Sequence, residues 1–376
     1  MVKETKLVDL IRKYYEKVDH SIGYPVCQQP NVSGFGEWYA KTGLCDIAVN
    51  NAGNPFDSEQ FLLNSTMIER EVIQTFAPLY GIPKGKEWGF VTNSGTDGNM
   101  HGIYFGAKKL QKETGMLPIV YISKEAHYSS SRICDVQNLE TRMIDFDENG
   151  SMDIECLRKN LDSKRPALIV GAIGSTFMGA TDNIREIKKV LDEVKPVGVY
   201  IHLDAALFGG YLPFTKYKDV VNMVKQGYDS IAISGHKFFG VDEPCGLFLS
   251  KKEVIESQTA MKVEYLHNDM PLISCSRSGL APLKFYWIIK YLGFKKLKEE
   301  AKEMLSDPEL KELAEMEMEE AKEKLPKIED NNEFEKHLYN KQEINNANMV
   351  FVRENGKYVG RNILNYPFKI IHKIPP

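Results

Sequence analysis

The sequence predicts an α/β fold built on a mostly parallel sheet flanked by helices, and three observations carry that expectation. Between about residues 88 and 250, short apolar runs rich in β-branched residues alternate with charged stretches whose apolar positions recur at helical spacing. The chain has 376 residues, 43% hydrophobic and 27% charged, enough apolar material for a large domain and a smaller one. Residues able to do chemistry also recur directly after the apolar runs, at the edge where open α/β sheets collect ligands.

The N-terminal MVKETKLVDLIRKYYEKVDH reads as an amphipathic helix and lacks the apolar run of a secretory signal. WGFVT (88–92), IVYIS (119–123), ALIVGAI (167–173), VGVYIHLD (197–204), SIAIS (230–234) and GLFLS (246–250) read as strands. Helices are expected over 98–115 and 183–195, the second with Ile184, Ile187, Val190, Leu191 and Val194 at helical spacing. After residue 293 the composition shifts to a Lys/Glu-rich helix in which Met304, Leu305, Leu310, Leu313 and Met316 form the buried stripe. A polar stretch and the strand NMVFVREN follow. Three parts result: an N-terminal helical segment with a substrate-side loop (1–60), a large domain (61–290) and a small C-terminal α+β domain (291–376).

Lys and Arg number 48 against 52 Asp and Glu, a formal charge of −4 with a pI near 6.1. Without a long basic stripe, nucleic acid is excluded as a partner. No window approaches ~18 uninterrupted apolar residues, so no membrane-spanning helix is expected. The six cysteines are scattered and form no C-x-x-C pair, which argues against a zinc site or a secreted disulfide framework. Reduced thiols in a cytoplasmic protein, with no metal, are the expectation.

The strongest chemical signal is SGHKFFG (234–240), which puts Lys237 on the turn after the strand SIAIS. An apolar setting between His236 and Phe238-Phe239 desolvates the amine, lowers its pKa and keeps a fraction of it neutral and nucleophilic. Schiff-base chemistry needs that neutral amine. In HLDAALFGGYLPF (202–214), Asp204 ends an apolar strand, and the small residues Ala205 and Ala206 let a flat ring approach. A buried carboxylate needs a partner, and the protonated ring nitrogen of pyridoxal phosphate is one. VTNSGTDGNMHG (91–102) breaks a strand into a Ser/Gly/Thr turn and then opens a helix, a phosphate cradle containing Ser94, Gly95 and Thr96. It has neither the dinucleotide G-x-G-x-x-G nor the P-loop spacing. KEAHYSSSR (124–132) places His127 where it can lie on a cofactor ring, and GSTFMGATDNI (174–184) offers Thr176 or Ser175 to the cofactor's phenolic oxygen.

Taken together, TNSGTDGN, AHYS, GSTFMGATDNI, HLDAALFGG and SGHKFFGVDEPCG resemble the fold-type I pyridoxal phosphate enzymes, and within them the group II amino acid decarboxylases. Among these the chain looks most like the bacterial histidine and plant serine decarboxylases. CSRSGLAPLKFYW (275–287) and the segment 47–73 add to the resemblance, which covers roughly residues 20–293. It implies a seven-stranded sheet, Lys237 as the Schiff-base lysine, Asp204 as the pyridinium partner and His127 stacked on the ring near the substrate. Ser94, Gly95, Thr96, Ser234 and His236 are implied around the phosphate, with Thr176 and Ala206 completing the ring pocket. Asn50, Asn51 and the region around Asp242-Glu243 are candidates for the substrate side. The implied reaction is decarboxylation of an amino acid, L-histidine to histamine first and serine next. The proton for the α-carbon comes from His127, from Lys237 or from a tyrosine. An aminotransferase or lyase of the same fold and a pyridoxal-binding regulatory homologue are the alternatives. The resemblance further implies a homodimer in which the 275–280 segment reaches the partner's cofactor. Two departures stand out: Ser94 occupies a position usually held by glycine, and YVGRNILNYPFKIIHKIPP is unlike the family's closing segment.

Overall fold

The computed structural model describes residues 4–19, 27, 30–57, 62–176, 178–258, 261–263, 268–306, 349–354 and 357–362. Its centre is a seven-stranded sheet: β1 (Glu87–Thr92), β2 (Ile119–Ser123), β3 (Thr141–Ile144), β4 (Ala167–Ala172), β5 (Val199–Asp204), β6 (Ser230–Ser234) and β7 (Gly246–Lys251). The spatial order is β1-β7-β6-β5-β4-β2-β3. Strands β6, β5, β4, β2 and β3 are mutually parallel, and β7 runs antiparallel to both β6 and β1. Two reversals cancel, so β1 ends on the same edge as the parallel strands.

Six of these strands match the apolar runs, because strands covered on both faces read as continuous hydrophobic segments. The seventh, β3, has the sequence TRMI at the sheet's edge, and only its Ile144 is buried. Exposure leaves it no apolar run to announce it.

Alternation along each strand sorts the core onto two faces. Ile169, Ile201, Leu203, Ile231 and Ile233 pack on one side with Ile184, Ile187, Val190 and Leu191. Leu168, Val170, Tyr200 and Phe248 pack on the other with Ile103, Phe105 and Leu110. Helix α1 (Glu4–Asp19) comes first in the chain and leaves its described side chains exposed; α2 (Thr66–Phe76) and α4 (Ile184–Val194) pack into the first cluster and α3 (Gly95–Thr114) into the second. Ser94 caps α3 by accepting the Asp97 N–H, and Asn183 caps α4 by accepting the Glu186 N–H. Helix α3 lies so near the sheet that a Cβ on Gly102 would come within 2.2 Å of His202 Nδ1. Tyr200 donates to Ser230 Oγ (2.9 Å), Ser230 Oγ meets His202 Nδ1 (2.8 Å), and His202 Nε2 meets Asn99 Oδ1 (3.0 Å). Burial pushes His202 down to about 4, so this chain of bonds is a neutral one joining sheet to helix.

A buried ion pair joins α2 to the segments beside β1. Glu69 and Arg277 are almost fully buried, with Nη2 3.1 and 3.0 Å from the two carboxylate oxygens. Glu69 also accepts the Val91 N–H (2.8 Å) and the Asn51 amide (2.8 Å), while Arg277 donates to the Gly53 carbonyl (3.1 Å). Residues 50–51 and 277–278 pair as a short antiparallel ladder around it.

The N-terminal helix appears as expected, as does a strand at Met349–Glu354, paired with Lys357–Asn362. Gly293–Ser306 opens the Lys/Glu-rich helix. The stripe residues Leu310, Leu313 and Met316, the side chains of Met304 and Leu305, and the tail beyond 362 lie outside the described residues, and with them most of the small-domain expectation. No helix among the described residues is long and apolar enough to cross a membrane.

Arg277→Met leaves the Glu69 carboxylate buried without its counter-charge, and about 3–5 kcal/mol of stability is expected to be lost in urea unfolding. Glu69→Gln combined with Arg277→Met should recover part of that loss; an unchanged midpoint in the single variant contradicts the role given to the pair.

Candidate active site

Five segments leave the sheet at one edge: residues after β1 (Ser94, Gly95, Thr96), after β2 (His127), after β4 (Thr176), at the end of β5 (Asp204, Ala206) and after β6 (His236, Lys237). Parallel strands force this, since their carboxyl ends share an edge.

Asp204 is 8% exposed and follows Tyr200 and His202 at two-residue steps, which turns it to the α3 face of the sheet. Its Oδ1 accepts the Ala206 N–H at 3.2 Å. Lys237 is half-buried on the turn after β6. Burial lowers its pKa, and the Asp204 charge opposes that shift. The turn is held by Gly240 N–H to Lys237 carbonyl (3.1 Å) and Val241 N–H to Gly235 carbonyl (3.1 Å). It is anchored below by the fully buried Phe239, whose ring lies 5.0 Å from that of Phe76.

His127 is half-buried, and burial lowers its pKa; Asp204 opposes the shift and Lys237 reinforces it. The three groups therefore sit within one another's fields. Nδ1 of His127 accepts the Ser129 N–H (3.3 Å) and meets Ser129 Oγ (2.7 Å), which assigns the proton of the neutral ring to Nε2. The Tyr128 ring lies 4.4 Å from it.

The first turn of α3 faces the same space. A Cβ on Gly95 would lie 2.5 Å from Ser234 Oγ and 3.1 Å from the Ala206 Cβ, so only glycine lets the helix start come this close to β5 and β6. The N–H groups of Gly95 and Thr96 have no intrahelical acceptor at this position, and the helix dipole adds to their pull on an anion. Thr96 is exposed and Ser94 half-buried. His236, half-buried, sets its Nδ1 3.1 Å from the Cys245 carbonyl oxygen, and burial lowers its pKa.

Of the two hydroxyls after β4, Ser175 is buried and donates to Glu125 Oε1 (3.0 Å) while accepting the Ala180 N–H (3.0 Å). Thr176, half-buried, is the one left for a ligand. Asn51 departs from expectation. It is fully buried, with its amide nitrogen on Glu69 and its oxygen on Ser65 N–H (2.8 Å), so it has no surface to offer a substrate. Asn50 is half-buried and donates toward Ser276 Oγ (3.4 Å). Asp242 and Glu243 are engaged by Lys284, at 2.6 and 3.4 Å. Glu69, Asn99, Glu125 and His202 escaped sequence reasoning because their partners are distant in the chain.

Residues 65–328 match the family described as the pyridoxal-dependent decarboxylase conserved domain. A histidine decarboxylase of Morganella morganii is 36% identical over 65% of this chain and 64% of its own length. Serine decarboxylase 1 of Oryza sativa subsp. japonica is 32% identical over 78% of this chain and 59% of its own. The chain thus spans less than two thirds of either relative. Among solved structures, L-methionine decarboxylase from Streptomyces sp.590 superposes with a TM-score of 0.67 over 84% of this chain and 80% of that one, at 20% identity, a likeness of fold. By the extent of the family match, the chain belongs to the pyridoxal-dependent decarboxylases.

Proposed function

We propose that this protein removes the α-carboxylate of an L-amino acid as carbon dioxide, with L-histidine the first candidate substrate and L-serine the second. The observation that carries the reading is a half-buried amine whose burial favours its neutral form, at Lys237, within the field of the Asp204 carboxylate and beside the glycine-opened start of α3. Pyridoxal phosphate fits the chemistry of this arrangement: a phosphate suits the N–H groups at the α3 start, a cationic ring nitrogen suits the buried Asp204 carboxylate, and an aldehyde suits the Lys237 amine. When bound, the cofactor supplies an electron sink for the pair released as the carboxylate leaves.

In this reading Lys237 offers the nucleophilic amine, and Ser94, Gly95, Thr96, Ser234 and His236 hold the phosphate. Asp204 would hold the ring nitrogen and favour its protonated form, because a neutral ring nitrogen would leave the buried carboxylate without a counter-charge. Thr176 and Ala206 bound the ring. His127, with Nδ1 held by Ser129, would lie over the ring and, when protonated at both nitrogens, could give its Nε2 proton to the α-carbon and return to the neutral imidazole. Decarboxylation is favoured over transamination by the commitment of Arg277 to Glu69, since an enzyme gains nothing from gripping the group it must expel. Histidine stands first because histidine decarboxylases recur among the relatives at 31–36% identity; serine stands close because serine decarboxylases match at 32–33%. A cytoplasmic homodimer completes the proposal, supported by Leu7, Val8, Leu10 and Ile11 of α1, each between 42% and 58% exposed, as an apolar stripe that a second copy would cover.

Carbon dioxide release measured over the twenty amino acids should be largest for histidine or serine and fall by at least about 10³-fold in Lys237→Ala. Keto-acid formation in place of carbon dioxide would overturn the reaction assigned. Reductive methylation of cofactor-free protein with formaldehyde and cyanoborohydride should modify Lys237 with a pH midpoint below the ordinary lysine value of 10.5. Asp204→Asn should move that midpoint lower still, because the lost negative charge no longer favours the ammonium; a rise contradicts the coupling. Sizing chromatography should give a dimer, and an active monomer sinks that part.

A further inference from the structure

The loops after β2 and β4, neighbours in the sheet, carry His127 and Thr176. Each is stiffened internally. In the first, Ser123 Oγ accepts the Glu125 N–H (3.2 Å) and the Ser123 carbonyl accepts the Ala126 N–H (3.0 Å). In the second, Ser175 and Ala180 exchange bonds: Ser175 N–H to the Ala180 carbonyl (2.8 Å) and Ala180 N–H to Ser175 Oγ (3.0 Å). Gly174 N–H reaches the same Ala180 carbonyl (2.9 Å), and Gly179 N–H reaches the Ser175 carbonyl (3.0 Å).

Glu125 joins the two knots. Its Oε1 accepts the Ser175 hydroxyl at 3.0 Å and the Met178 N–H at 2.7 Å, both charge-assisted bonds of the stronger kind. The carboxylate is two residues from His127 in one loop, and its partners flank Thr176 in the other. Neither Ser175 nor Met178 can shift without dragging the His127 loop with it.

We propose that Glu125 is a positioning residue that fixes the spacing between His127 and Thr176, and with it the placement of the amino acid over the cofactor. The inference rests on the decarboxylase reading for its kinetic consequence, though the clamp itself is a property of the two loops. A displacement of about an ångström at a reacting group is enough to cost up to ~10²-fold in rate, so the clamp should show in turnover more than in cofactor retention.

The test uses the full-length holoenzyme in three variants. Glu125→Ala removes both bonds, Ser175→Ala removes one, and Glu125→Gln keeps an amide oxygen able to accept both. Glu125→Ala is expected to lower kcat/KM for the best substrate by about 10- to 100-fold, chiefly in kcat, with bound cofactor per chain unchanged. Glu125→Gln should stay within about threefold of the parent, and Ser175→Ala should fall between. Independently of activity, hydrogen exchange at the Met178 amide should quicken in Glu125→Ala and not in Glu125→Gln. Unchanged kcat/KM and exchange in Glu125→Ala, or equal damage in the Gln and Ala variants, overturns the proposal. A parent that releases carbon dioxide from no amino acid sinks the decarboxylase reading instead, and the exchange comparison still decides the clamp. Should Glu125→Ala fail to fold, Ser175→Ala and Glu125→Gln carry the same comparison.

Discussion

A carboxylate held 8% exposed at the end of an apolar strand is the constraint around which this site is organised. Asp204 has the Ala206 N–H on one oxygen, which is too little to compensate a buried negative charge, so it draws positive charge toward it. It raises the proton affinity of both Lys237 and His127 against the burial that lowers it. Burial remains the larger influence on both, so each pKa lies below its ordinary value, and the bonds from Ser129 to Nδ1 leave Nε2 as the protonated nitrogen of the neutral imidazole. In the proposed reading a cationic ring nitrogen placed before Asp204 would meet the same demand, so the residue that tunes the free amine would also hold the ring.

Such tuning needs groups that do not drift, and the surroundings supply that through buried polar links rather than apolar packing alone. The Tyr200–Ser230–His202–Asn99 chain fixes α3 against the sheet, so that Gly95 stays against Ser234 and Ala206. Asp97 and His101 hold the other flank: Ser274 Oγ donates to Asp97 (2.7 Å) and the Ile273 N–H to His101 Nε2 (3.0 Å). Burial pushes the Asp97 carboxyl up, but the hydrogen bonds it accepts from His101, the Asn93 N–H and Ser274 outweigh that and leave it below the usual range. Glu69 and Arg277 do the same for the segments beside β1. Buried polar networks of this kind specify one arrangement, even though the buried Arg277 Nε is left without a hydrogen-bond partner.

What the sequence disclosed follows from the range over which each signal acts. Apolar runs located six strands to within about two residues, since burial on both faces leaves a local imprint. The edge strand Thr141–Ile144 left none. The structure puts Ser94, Gly95, Asp204 and Lys237 beside strand ends, the placement the sequence predicts, because a strand end is a local feature of the chain. Asn51 misled for the opposite reason: an asparagine in a segment beside the site looks like a ligand until Glu69, 18 residues on, and Ser65 are seen to take both ends of its amide. Arg277 and Glu69 are 208 residues apart, Glu125 and Ser175 are 50 apart, and no spacing rule links either pair.

The whole scheme converges on one amine. Borohydride reduction of the cofactor-loaded protein, followed by peptide mapping, should place a pyridoxyl group on the peptide bearing Lys237 and on no other. A reduced adduct on a different lysine, or none at all in protein that carries the cofactor, would contradict it.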